Sequence, residues 1–136
     1  MRWRRRSPHP AHLTAGFVAQ EAAAHAPALE ALLGRPRVGA SVPIEVGIDV
    51  VPGARMVILL RNRNVAFVPV DHEAELRAQL PRRGVLTHPG EAFVHDGAWQ
   101  VWVGPSPRPV DAQVPPGTID PEPPSVGGIP LRRPGR

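Results

Sequence analysis

Between residues 44 and 50 apolar and polar positions alternate strictly. Ile44, Val46, Ile48 and Val50 stand against Glu45, Gly47 and Asp49. A period of two predicts a strand with one buried face. The next apolar block, Met56, Val57, Ile58, Leu59 and Leu60, is unbroken, as in a strand covered on both faces. Val51, Pro52, Gly53 and Ala54 predict the turn between them. Arg61, Asn62, Arg63 and Asn64 predict a polar turn, because Asn tolerates left-handed backbone angles, and residues 65–68 form the next strand. Pro69 ends it. Asp71 is placed to cap a short helix over 72–80 carried on Ala74, Leu76 and Leu80, with Glu73 and Arg77 paired four apart. Residues 85–88 are extended, and Pro89 with Gly90 predicts a turn.

Asp96 and Gly97 are the preferred pair for a two-residue type I′ hairpin. That turn sets Val94 opposite Trp99 and Ala92 opposite Val101 on the core face. Phe93, His95, Gln100 and Trp102 fall on the other face. Upstream, Leu13, Phe17, Ala24 and neighbouring alanines predict a helix over 11–34, interrupted at Pro27 and stopped at Gly34. Its apolar stripe needs a covering surface, and Phe93 and Trp102 are the expected one. The expected organisation is a basic arm over 1–10, one domain over 11–104 with its β-rich core over 43–104, and a disordered proline-rich tail over 105–136. The expected fold is α+β: a small, strongly bent antiparallel sheet or partly closed barrel of five to six strands, with N-terminal helices and one short inserted helix.

Composition narrows the chemistry. The 136 residues include no Cys, which excludes disulfides, thiolate metal sites and a cysteine nucleophile. All 16 basic residues are Arg, so no lysine Schiff base or phosphate-loop lysine exists. The Ala, Arg, Gly, Pro and Val excess points to a high-GC bacterial genome. The formal net charge is +4, but its placement matters more. Residues 1–42 carry six Arg against two acids, and residues 43–104 carry six against seven. The excess therefore sits in the N-terminal part, chiefly Arg2, Arg4, Arg5 and Arg6, and the β-rich core is near neutral. No apolar run approaches the ~20 residues of a membrane helix, and the basic start lacks a following apolar segment. A cytoplasmic location without membrane attachment is expected.

Catalytic signals are sparse. His88, Glu91 and His95 match no metal-ligand spacing of known strength, so no metal and no cofactor are expected. Glu45 and Asp49 share a strand face about 13 Å apart, too far for a retaining glycosidase pair. Thr87 is the only hydroxyl residue of the β-rich core, and no nucleophile elbow or phosphate-cradling loop occurs. An enzyme with an unrecognised site ranks third among the functional readings, and a non-enzymatic binding domain ranks first.

Met56, Val57, Ile58, Leu59 and Leu60, followed by Asn64, Val65, Ala66, Phe67, Val68 and Pro69 and the helix through Leu80, resemble the middle of HIRAN domains. Ala66 and Phe67 stand at the family's Gly and aromatic positions, Pro69 matches its proline, and Val51, Pro52, Gly53 and Ala54 replace its acidic Asn-Pro loop. The resemblance covers about 25 residues. It implies a small β-barrel that binds single-stranded or end-containing nucleic acid. On that reading Arg61, Arg63 and Phe67 supply the contacts, and Arg4, Arg5 and Arg6 add sequence-independent phosphate attraction. The alternative is a protein-interaction or self-assembly module using the helical stripe, the Phe93 and Trp102 face and the proline-rich tail.

Overall fold

The computed structural model describes residues 8–50, 55–82 and 84–115. Its elements are β1 (Pro8–Pro10), β2 (Phe17–Val18), a 3₁₀ turn (Ala22–His25), α1 (Ala26–Leu33), β3 (Ser41–Val50), β4 (Met56–Leu60), β5 (Arg63–Phe67), α2 (Val70–Arg77), β6 (Val85–His95) and β7 (Ala98–Val103). The fold is the expected α+β class, with a curled antiparallel sheet ordered β2-β7-β6-β3-β4-β5. The two ends of that order meet at one antiparallel bridge, Gln20 with Phe67, whose backbone bonds are 2.8 and 2.9 Å. The sheet thereby curls around a core that includes Phe17, Leu29, Val46, Ile48, Met56, Ile58, Val65, Leu76, Leu86, Trp99 and Val101. Both helices lie against it, Leu29 and Leu76 being fully buried.

The strands follow the side-chain pattern. Val46 and Ile48 face inward while Glu45 stays exposed. Within β4, Met56, Ile58 and Leu60 enter the core and Val57 is also buried. The β6–β7 hairpin has the expected register, Val94 with Trp99 and Ala92 with Val101, around Asp96 and Gly97 at φ 50° and 80°. Both turn residues are left-handed, as type I′ requires.

Five expectations are corrected. Residues 11–21 hold no α-helix; Phe17–Val18 is a strand of the sheet, and the α-helix starts only at Ala26. Phe17 and Ala19 enter the core while Val18 joins a cluster on the other face, so the local period is two. Alanine's helix propensity loses to this two-sided burial. A β-carbon at Gly16 would also collide with the Trp102 ring and the Gly104 backbone, so the entry to β2 is packed too closely for any larger residue.

Residues 8–10 belong to the sheet, not to an arm: they pair in parallel with residues 85–87. Pro89 and Gly90 do not turn the chain, because β6 runs straight through them along β3. The second helix begins at Val70 after Pro69, two residues earlier than an Asp71 cap would place it, and Asp71 lies in its first turn. At the other end, residues 105–115 are described and pack on the sheet. The expectations for residues 1–7, 51–54 and 116–136 lie outside the described residues.

Candidate functional site

Gly47 lies at the centre of a shallow cleft on the outer face of the sheet. It pairs with Leu59 on β4 and Thr87 on β6. With no side chain at this position, the sheet surface dips. The resulting cleft, about 320 Å³, is lined by Glu45, Val46, Gly47, Leu59, Arg61, Asn62, Val85 and Thr87. Leu59 and Val85 give it apolar walls, while Asn62 and Thr87 offer hydrogen-bonding groups. Arg61 and Glu45 are the charged residues of the lining, and both are exposed.

Arg61 is held by the β4–β5 turn. Arg61 and Asn62 have φ 51° and 68°, so both adopt the left-handed conformation of a type I′ turn. This conformation is unfavourable for Arg. It follows from the tight pairing of Leu60 with Arg63 immediately after the turn. Arg82 is exposed three residues before Val85, on the segment leading into the cleft wall. Among the described residues no carboxylate forms an ion pair with Arg61 or Arg82.

The structure separates the other expected contacts. Arg63 pairs with Leu60, a core residue, and cross-strand partners share a face; it is therefore exposed at the core-facing edge and does not line the cleft. Phe67 ends the same strand, about 13 Å from Arg63 at a regular strand rise. Its ring carries the Arg55 guanidinium at 4.3 Å and meets His25 edge-on at 5.7 Å. Arg55 also reaches Glu21 at 2.8 Å and Gln20 at 3.3 Å. Phe67 thus belongs to the seam that closes the sheet, not to the cleft. Arg4, Arg5 and Arg6 lie outside the described residues.

Phe93 and Trp102 are 3% and 8% exposed. Their cover is the chain after β7, not the N-terminal helix: Ala112 and Val114 pack on them together with Val18. The apolar residues of α1 are directed at the core instead, with Leu29 buried and Leu32 and Leu33 packed beside it. Both surfaces on which the interaction reading relied are therefore covered by the chain itself. His88, Glu91 and His95 are also dispersed. His88 is buried with Nδ1 2.8 Å from the Pro89 carbonyl oxygen, Glu91 binds Ser41 and Arg108, and His95 is exposed beside Asp96.

Sequence reasoning missed Gly47, Asn62, Val85 and Thr87 as cleft residues. The signal for Gly47 was present: a glycine among the polar positions of an alternating strand leaves a gap in the exposed face. The signal that the chain after β7 covers Phe93 and Trp102 was a hairpin carrying large aromatic residues on its second face, followed directly by a Pro-Ser-Pro-Arg-Pro run. No helix among the described residues is long and apolar enough to cross a membrane. No protein-family model, curated protein or solved structure matches the chain.

Proposed function

We propose that this chain is a binding domain that takes single-stranded or end-containing nucleic acid in the Gly47 cleft. The observation that carries the reading is the open cleft itself, with the unpaired Arg61 on its rim and Arg82 on the adjoining segment. Arginine there supplies phosphate contact, Asn62 and Thr87 supply polar contact, and the apolar walls receive a base or sugar. The topology adds a second basic element. Pro8, two residues after Arg6 in the sequence, pairs with Val85 of the cleft wall. On this reading Arg4, Arg5 and Arg6 add sequence-independent phosphate attraction. Glu45 stands on the β3 side and repels phosphate, which directs the strand along the Arg61 side.

The test is binding of a short labelled single-stranded DNA, followed by anisotropy across a salt series. Arg61→Ala should weaken binding several-fold and reduce the salt slope by roughly 0.7, the share of one single-strand phosphate contact. Gly47→Leu should abolish binding while the domain stays folded, because a β-carbon at Gly47 meets Leu59 at an ordinary 3.5 Å and the backbone is not left-handed. Glu45→Gln should tighten binding about two-fold at low salt. Unchanged affinity in both Gly47→Leu and Arg61→Ala would defeat the cleft reading. Removing residues 1–7 leaves β1 intact. If that deletion removes all binding and Gly47→Leu removes none, only a charged tail is responsible.

A further inference from the structure

The outer face of the β6–β7 hairpin is closed by the segment that follows it. Trp102 Nε1 donates to the Ser106 carbonyl at 3.0 Å. The Arg108 guanidinium lies 3.9 Å over the Phe93 ring and reaches Glu91 at 3.2 Å. The Ser41 hydroxyl donates to the same carboxylate at 2.5 Å. Residues 105–109 read Pro-Ser-Pro-Arg-Pro.

Each contact reads a different property of such a segment. The indole N–H takes the Ser106 carbonyl within the bend at residues 104–106, where the flanking prolines supply no N–H. The aromatic face takes the guanidinium, and the carboxylate takes its charge. Proline fixes backbone angles in advance, so a proline-rich segment loses little ordering entropy when it docks on such a surface. The seat is also larger than its occupant. A cleft of about 400 Å³ remains between residues 104–107 and a rim that includes Pro43, Pro89, Gly90 and Glu91.

We infer that the Glu91, Phe93 and Trp102 face is a docking surface for a proline- and arginine-bearing segment of another protein, with residues 105–114 as a competing occupant held in cis. Displacement exposes the face; the partner's arginine takes the place of Arg108 over Phe93 and against Glu91. The face is separate from the Gly47 cleft, so the inference stands or falls independently of nucleic-acid binding.

A short tether presents its own segment at roughly millimolar effective concentration, so a cis segment docked at least about nine times in ten implies a trans dissociation constant near 0.1 mM or tighter. The experiment adds a labelled peptide of residues 105–115 to the full chain and to its Arg108→Glu variant, read by anisotropy and tryptophan fluorescence. The variant should bind the peptide at about 0.1 mM or tighter, and the unaltered chain at least about ten-fold more weakly. A peptide carrying Glu in place of its arginine should not bind the variant. Adding Phe93→Leu should weaken binding several-fold. Arg108→Ala is measured in parallel, so a folding failure of the charge reversal does not remove the test. No binding to either variant up to about 1 mM overturns the inference. So does equal binding of the charge-reversed peptide. A chain that ignores the peptide but doubles in mass with concentration assigns the face to a second copy, and also overturns it.

Discussion

Arg61 holds a backbone conformation that its own chemistry disfavours, at φ 51°. For an L-residue with a β-carbon this costs on the order of 1 kcal/mol, and glycine escapes most of it. Arg61→Gly should therefore raise unfolding stability by about 1 kcal/mol in urea titration while losing single-stranded DNA affinity. That combination separates a binding residue from a structural one, since a structural role would lose stability with the side chain. The two prolines of the central ladder show the same residue-scale logic. Ala40 accepts a bond from Val94, so alternate positions exchange bonds across β3 and β6, and residues 43 and 89 fall in the wide pairs. Their missing N–H groups would have pointed away from the partner strand. Pro43 therefore blunts the stretch of β3 beyond its pairing with β4, and Pro89 sits where β6 changes partner from β1 to β7. The polar Asn turn and the Asp96 and Gly97 hairpin were legible because their residues act locally. Pro89 was misleading because the meaning of a strand proline depends on which edge it faces.

At the element scale, β6 decides the architecture. It runs eleven residues and pairs along one edge with β3 and along the other with β1 and then β7. Gly90 makes the continuous path workable: a β-carbon there would lie 2.5 Å from the Trp102 carbonyl oxygen. Gly90→Ala should destabilise by about 2–3 kcal/mol, as overpacking against rigid backbone does. Gly47→Ala, with ordinary contacts around it, should stay within about 0.5 kcal/mol of the unaltered protein. Thermal or urea unfolding of the two variants side by side checks the contrast. Glycines with similar sequence surroundings differ here because one lies beneath a neighbouring backbone and the other beneath solvent. The N-terminal segment gives the complementary case. Its alanines suit a helix, yet Phe17, Val18 and Ala19 divide between two apolar layers, and burial on both faces outweighs propensity.

For the whole molecule, closure comes from segments far apart in sequence. The Gln20 and Phe67 bridge joins the sheet's ends, and Arg55, Glu21 and Gln20 tie the same seam over the Phe67 ring. Trp99 Nε1 donates to the Gly34 carbonyl at 2.8 Å, fastening the end of α1 to the hairpin. Residues 105–114 then seal the outer cluster of Val18, Phe93 and Trp102. Ending the chain after Gly104 should cost about 2–4 kcal/mol of stability, on the scale of exposing one to two large side chains, with a red shift of tryptophan emission. An unshifted emission would show that Trp102 is buried without this segment.

The sequence by itself determined strands β3, β4 and β5, the α+β class, the β6–β7 hairpin register and the near-neutral charge of the central region, but not β1, β2 or the continuity of β6. Those properties arise from local backbone preferences and from the two-residue period of apolar side chains. It also placed Arg61 in a turn, though not in a cleft. Tertiary structure decided what each face meets. It brought Arg61 beside Gly47 and Thr87, took Phe67 into the closing seam, and covered Trp102 with the proline-rich segment. Periodicity shows that a face is apolar and must be covered. Only the path of the chain decides what covers it, because the cover comes from residues distant in sequence that share no pattern with the face they bury.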